Sequence, residues 1–357
     1  MPPPSRTLTK PSRSGRETGS NSRRVTMTDI AREAGCSQAT VSFVINDAPG
    51  IRLSSETRLR VLEVARRLGY GLPQVRVEAK RGRRVGRIGF VVDQLATSPE
   101  AVQAIEGLSQ AAQDLVFVAQ SRNDPEVEAE LIETFVEQGV SALVYMTIFT
   151  REVELPLALR NLDVPVLLLN CYTTGQSYPA VVPSEIAGGQ RATHHLITRG
   201  HRRIATVTGE IWMEAAQDRL KGYRRALATA DIPFDAELVF SGDWSASAGY
   251  EATRKILDLP EVPTAIFCQN DRMAIGCYEA LKEAGYEIPR DMSVVGYDDE
   301  EIARHLHPQL TTSVLPHRAM GQWIAEQLAD GEVDSRYPLT KLECPLVERA
   351  SVDKPRG

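Results

Sequence analysis

The stretch GCSQATVSFVIN, residues 35–46, gathers hydroxyl and amide side chains onto what has the apolar spacing of a short helix. Its Thr, Val, Ser, Phe and Ile residues are middling or poor helix formers, so intrinsic helix stability is not what selects them. Short hydroxyl and amide groups donate to phosphate oxygens without holding a helix away from a duplex. A Gln side chain pairs bidentately with adenine, and Ala or Phe touches a thymine methyl. The chemistry within reach is hydrogen bonding to DNA. A second set of residues stands where apolar runs end: Asp93, Thr147, Asn170, Gly209, Asn270 and Asp298. In open α/β sheets ligands collect at the carboxyl ends of strands, so these positions mark where a small molecule would be held.

Bond-making chemistry finds no such support. GxSxG, HExxH, P-loop and GxGxxG patterns are missing, which argues against an enzyme. His194 and His195 are adjacent in a helical segment and point about 100° apart, a poor arrangement for one metal ion. His201 follows Gly200 at a helix end and reads as a cap, and the run Asp298–Glu301 reads as a solvated turn. No metal or cofactor is expected.

Three short helical patterns carry the first set. In MTDIAREAG, Ile30, Ala31 and Ala34 share a face and Gly35 is the stop. Ser37 is a good N-cap for the next helix. SSETRLRVLEVARRLGY has Leu59, Leu62, Val64, Ala65 and Leu68 as its apolar set. Ala31 stands four residues before Gly35, with Val41 and Val44 ten and thirteen after Ala31. A small residue for close approach, a Gly turn and two packing valines are the requirements of a helix-turn-helix. Residues 72–86 then read as a basic linker. Beyond them short apolar runs (RIGFVV, LVFVAQ, ALVYMT, VPVLLLN, RIATVTG, LVFSG, AIFCQN, SVVGYD) alternate with amphipathic segments, the signature of parallel sheets covered on both faces. There are too many units for one ordinary sheet, so two α/β subdomains are expected.

The 357 residues allow two or three domains with real cores. Charge is unevenly placed. Residues 1–84 hold 17 Lys/Arg against 7 Asp/Glu, a surplus of 10, whereas the remainder holds 24 against 40, a deficit of 16. A basic front on an acidic body points to a polyanion partner for the front alone. Residues 1–24 lack any hydrophobic period and read as a disordered basic tail. The N-terminus has no apolar stretch of a secretory signal, and no run nears the roughly 18 apolar residues of a membrane span. Five cysteines without a CxxC pair read as reduced thiols in a cytoplasmic protein.

Taken together, VTMTDIAREAGCSQATVSFVIND, LSSETRLRVLEVARRLGY, TRGHRRIATVTG, DRLKGYRRAL and NDRMAIG…IPRDMSVVGYDDEEIA…PQLTT resemble the lactose-repressor family of bacterial transcription regulators over roughly residues 25–350. The resemblance implies an α-helical helix-turn-helix head (25–71), a hinge (72–86) and an α/β core (87–350). That core has two periplasmic-binding-protein-like subdomains with parallel sheets, the first about 87–183 and 314–340, the second about 184–312 and 341–352. It implies that Gln38, Ala39 and Phe43 face base edges, while Thr26, Ser37, Thr40, Ser42 and Asn46 lie near phosphates. Many members have Arg where this chain has Phe43, which cannot make a guanine contact and either reads a base or packs in the head's own core. The hinge departs too: QVRVEAK, 74–80, lacks the family's minor-groove Leu wedge, so Arg76 and Lys80, with Arg81, Arg83 and Arg84, are expected to hold phosphates instead.

For the core the resemblance implies an effector, a sugar or sugar derivative, held between the subdomains. Arg219 would be a cationic fork, Asp271 a hydroxyl acceptor, Asn170 a strand-tip contact and Trp244 a flat face for a pyranose ring. Each has a plain structural alternative: Arg219 as a surface helix residue, Asp271 as an N-cap, Trp244 as core filler. Phe149, Tyr172 and Glu185 are further liners. The implied protein is a homodimer on a palindromic double-stranded operator, without the family's tetramerising tail. The rival is a sugar-binding receptor with no DNA role.

Overall fold

The computed structural model describes residues 26–45, 55–68, 86–95, 99–160, 162–174, 178–329 and 339–356. The chain divides into two units, Met1–Arg84 and Val85–Gly357. The tail 1–24 and residues 72–85 of the linker lie outside the described residues.

The first unit holds α1 (Met27–Ala34), α2 (Gln38–Ile45) and α3 (Ser55–Arg67). A capping box starts α1: the Asp29 N–H donates to Thr26 Oγ1, and the Asp29 carboxylate accepts from the Thr26 N–H at 3.0 Å. Gly35 ends it at φ 65°, a left-handed turn that suits glycine. Ser37 Oγ then accepts from the Thr40 N–H at 3.1 Å, capping α2. Ile30, Ala31 and Ala34 meet Val41, Val44, Val61, Val64 and Ala65 in one small core. Val61 is a member the apolar pattern had not singled out. The side chains of Leu59 and Leu62 lie outside the described residues.

In the second unit, β1 (Arg87–Val92), α4 (Pro99–Ala111), β2 (Leu115–Gln120), α5 (Pro125–Glu137), β3 (Ala142–Glu152), β4 (Val166–Tyr172) and β5 (Ala180–Pro183) form the first lobe. The second lobe follows with α6 (Glu185–Thr198), β6 (Ile204–Thr208), α7 (Glu214–Thr229), β7 (Val239–Ser241), α8 (Ala246–Leu257), β8 (Ala265–Cys268), α9 (Asp271–Glu283), β9 (Ser293–Asp298) and β10 (Thr311–Val314). The chain then returns through α10 (His317–Ala329), which packs on α4, and β11 (Leu339–Leu342), and crosses once more to β12 (Leu346–Val347). The two six-stranded sheets run β11-β5-β4-β3-β1-β2 and β12-β10-β9-β8-β6-β7. Among the described residues every pairing is parallel except β10 with β12. β10 thus keeps the second lobe to Val314, and β11 keeps the first to Leu342, two residues past the boundary expected at 340.

Alternation explains why each sheet is buried twice. Phe90, Val92, Val144 and Met146 face α4 and α10, while Val91, Leu143 and Tyr145 face α5. β2 is the exception, an edge strand whose Leu115, Phe117 and Val118 are exposed. The α4–α10 contact is close: a Cβ on Gly107 would stand 2.0 Å from the Arg318 carbonyl oxygen, so only glycine fits. That contact fixes the start of α10, where the chain re-enters the first lobe.

Candidate DNA-reading head and effector cleft

In the head, the two caps hold the hydroxyls expected near phosphates. Thr26 Oγ1 donates to Asp29 Oδ2 at 2.7 Å, and Ser37 Oγ lies 2.8 Å from Thr40 Oγ1. Thr26, Ser37 and Gln38 are exposed and Thr40 is half-buried, so all four reach solvent at helix starts. The first turn of α2 carries no acidic side chain. Its free N–H groups and dipole therefore present a positive end to an anion. Ala39, Ser42 and Phe43 belong to α2, but their side chains lie outside the described residues, as do Asn46, Arg76 and Lys80 altogether.

In the core, a cavity lies between the lobes, and Asn170, Arg219 and Trp244 all line it. Their roles differ from a simple set of ligand contacts. Arg219 is only 4% exposed, and its fork is already engaged: Nε donates to Glu185 Oε2 at 2.8 Å and Nη2 to Glu185 Oε1 at 2.9 Å. Nη1 donates to the Gln269 carbonyl and, at 3.5 Å, to Asp298 Oδ1. The guanidinium lies 3.8 Å from the Tyr297 ring centroid and 5.5 Å from that of Trp244. Burial opposes its charge, but Glu185 and Asp298 hold it protonated, with its pKa above the ordinary value. Arg219 is thus neither a surface residue nor a fork open to a ligand carboxylate.

Asn170 sits at φ 60° within β4, two residues before its end at Tyr172. Its amide donates to the carbonyls of Thr147 and Ile148 at 3.0 and 2.6 Å and accepts from Thr150 Oγ1 at 2.7 Å. These bonds brace the irregularity in β3 between Met146 and Arg151, which carries Ile148, Phe149 and Thr150 to the cavity. Trp244 adopts φ 69°, and its indole lies so near Gly209 that a Cβ there would come within 1.9 Å of the ring. Asn270 holds the Trp244 carbonyl at 3.0 Å and caps α9 by accepting from the Met273 N–H at 2.8 Å.

Asp271 is a correction. It does not line the cavity, and the cap of α9 is Asn270. Its carboxylate turns into the second lobe, accepting from the Glu300 N–H at 2.8 Å and Thr312 Oγ1 at 2.7 Å. Burial pushes its pKa up to about 7 against those two bonds. The acidic run is a second correction. Asp298 and Glu300 line the cavity instead of facing open solvent, and Asp299 pairs with Arg349 and Arg304. Burial raises the Asp298 pKa against the pull of Arg219, and raises Glu300 against Arg272, which bonds it at 3.0 Å. Glu100, in the first turn of α4, adds to both shifts.

Of the further liners, Phe149 and Glu185 reach the cavity. Tyr172 instead bridges the lobes, its hydroxyl 3.0 Å from Glu214 Oε1 on α7. His201 is buried, with its ring 2.8 Å from both Thr264 Oγ1 and the Asp353 carbonyl, so it ties the C-terminal segment down in addition to ending α6. Sequence reasoning missed Glu100, Glu300 and His317, which come from three separate elements with no shared motif. His317 starts α10, is 1% exposed, lines the cavity, and among the described residues has no hydrogen-bond partner on either ring nitrogen. Burial, then the nearby Arg219, hold its pKa down at about 3, so the ring is neutral.

Comparison with known proteins bears on the family and the fold. Residues 26–72 match the family model of bacterial regulatory proteins, lacI family, and residues 193–352 match a periplasmic binding protein-like domain. The ribose operon repressor of Haemophilus influenzae is 31% identical over 335 residues, 92% of this chain and 98% of its own length. The HTH-type transcriptional repressor PurR of Aliivibrio fischeri is 29% identical over 334 residues, 92% and 98% of the two chains. Among solved structures, the transcriptional regulator CelR–cellobiose complex is 30% identical, with a TM-score of 0.63 over 92% of this chain and 100% of that one. A lac repressor dimer bound to operator and an anti-inducer is 29% identical, with a TM-score of 0.62 over 93% and 100%.

Proposed function

Because this chain belongs to the lacI family of bacterial regulatory proteins and carries its DNA-binding head, we propose that it is a cytoplasmic, homodimeric repressor whose operator affinity is set by a small molecule held between its lobes. The compound is a sugar or sugar derivative. The observation that carries the effector reading is the cavity itself, lined from both lobes by an aromatic face, Trp244, and by polar groups that include the unpartnered ring of His317. Relatives lend support: one solved structure holds cellobiose, and another is a dimer on its operator.

In the head, Thr26, Ser37, Thr40, Ser42 and Asn46 take phosphates, Gln38, Ala39 and Phe43 read base edges, and Arg76 and Lys80 extend the phosphate contacts. In the cleft, Trp244 offers its ring to the ligand, whereas Arg219 and Asn170 act by holding Glu185 and the β3 irregularity in place. A second copy is assigned to the exposed β2 edge, since unpaired backbone and apolar side chains there are suited to burial. Two heads are needed because one makes too few contacts for a specific site, and a two-fold dimer matches a palindrome. Ligand changes operator affinity only as far as it binds the DNA-competent and incompetent states unequally.

The test is selection of the full-length chain against a random duplex library, followed by a thermal-shift screen of sugars. A symmetric site should be enriched, and a compound that raises Tm should change affinity for that site. Enrichment of no symmetric site removes the dimeric operator reading. A stabilising sugar that leaves operator affinity unaltered removes the coupling.

A further inference from the structure

His317 has hydrogen bonds still to make. Its ring is buried in the cavity wall, and among the described residues neither nitrogen has a partner. Buried polar atoms left unpaired lower stability, so a purely structural position is better filled by an apolar side chain. The residue also stands where the chain changes lobe. β10 ends at Val314, and Leu315 lines the cavity with its N–H on the Asp298 carbonyl at 3.3 Å. The His317 N–H then donates to the Leu315 carbonyl at 2.9 Å. On the other side, the Arg318 backbone is packed so closely on Gly107 of α4 that no Cβ fits between them. The ring is therefore held in place at the crossover, and a ligand atom bonded to it acts on the connection between the lobes.

The chemistry of the missing partner follows from the ring and its neighbours. A neutral imidazole has one N–H that donates and one bare nitrogen that accepts. A carboxylate only accepts and an ammonium only donates, whereas a hydroxyl does both. Both arginines that line the cavity are engaged. Arg219 holds Glu185 with Nε and Nη2 and gives Nη1 to the Gln269 carbonyl and Asp298, while Arg272 Nε donates to Glu300 at 3.0 Å. A phosphate or carboxylate would have to displace Glu185 from the first or lie against Glu300 on the second, where like charges repel.

Resting on the reading of this cleft as the effector site, we propose that the effector is an uncharged polyol and that His317 selects it by binding one of its hydroxyls at the crossover between the lobes. Phe149 and Trp244 supply apolar faces for its carbon skeleton. A site built to hydrogen-bond a hydroxyl rejects the analogue that lacks it, because the buried polar partner is then left unpaired. Bonded at the crossover, the hydroxyl favours one angle between the lobes, which supplies the differential affinity that control of DNA binding requires.

The experiment is isothermal titration of the full-length protein with glucose, galactose, ribose and cellobiose. These are compared with glucose 6-phosphate, ribose 5-phosphate and galacturonate, and then with the monodeoxy derivatives of the neutral sugar that binds best. The proposal expects a neutral sugar to bind tenfold or more tightly than any of the anions. His317→Phe should weaken that sugar tenfold or more while the Tm of the ligand-free protein stays level or rises, and His317→Gln should recover part of the affinity. One deoxy derivative should bind the unmodified protein tenfold more weakly than the parent sugar, yet bind His317→Phe as well as the parent does. Where His317→Phe does not fold, His317→Leu takes its place, and the deoxy series decides if neither folds. Tighter binding of an anion, no binding of any neutral sugar, a lower Tm with unchanged affinity in His317→Phe, or a deoxy series without a tenfold loss overturns the polyol while leaving the cleft reading in place. Binding that neither His317→Phe nor Phe149→Ala alters places the ligand elsewhere, and both readings fall.

Discussion

Arg219 and Glu185 are each 4% exposed, and their charges are compensated chiefly by one another. Removing one partner strands the other in low dielectric, so Glu185→Ala should cost about 3–5 kcal/mol in urea unfolding. The double change Glu185→Leu with Arg219→Met removes both charges and should cost less than either single change; equal or greater loss would show that the pair is not the main compensation. Asp271 makes the complementary case. Its pKa is about 7 in the folded protein against an ordinary 3.8, so the native state holds the proton more tightly. The stability it contributes is therefore complete below about pH 4 and is lost as pH rises through 7. Asp271→Asn should flatten this slope. The amide can keep both bonds, accepting from Glu300 N–H while donating to a reversed Thr312 hydroxyl. An unchanged slope between pH 4 and 7 would assign the effect to other buried acids, Asp298 first.

At the scale of elements, β1 and β2 contrast. Both are apolar runs, but β1 lies between β3 and β2 and is buried, whereas β2 stands at the sheet edge with Leu115, Phe117 and Val118 exposed. Exposed edges with apolar side chains associate unless blocked by charge. Phe117→Lys should accordingly shift the protein toward monomer in sedimentation equilibrium and weaken operator binding with it. A dimer that persists would locate the two-fold contact on another face. The eight strands read from apolar runs are present, while β5, β10, β11 and β12 went unread. They are two to four residues long and include TTSV and LTKL, too short and too polar for periodicity to separate from loop. The helix-turn-helix was legible because its requirements are local: a cap, a small residue, a glycine and two valines.

The whole molecule separates its charge by function. A surplus of 10 on residues 1–84 and a deficit of 16 on the rest direct polyanions to the front of the chain. Operator affinity should therefore fall about 10³-fold or more between 50 and 200 mM salt, as expected for six or more phosphate contacts. A flat response in a filter-binding or anisotropy titration would contradict a DNA-reading head. Among the described residues no helix is long and apolar enough to cross a membrane. The lobes are joined near residues 184, 315 and 344, so a ligand between them acts on three connections at once.

The sequence alone determined the two architectures, the head's local geometry and the family, because caps, turns and alternation depend on near neighbours in the chain. Of the six strand-end positions it singled out, Asn170, Asn270 and Asp298 line the cavity, while Asp93, Thr147 and Gly209 do not. Only the tertiary structure decided which side chains face that cleft. Arg219 is claimed by Glu185, Asp271 turns inward to Thr312, and the presumed solvated turn brings Asp298 and Glu300 to meet Glu100. Those outcomes depend on side chains 34 to 200 residues apart in the chain, whose pairing is set by which lobe each element joins.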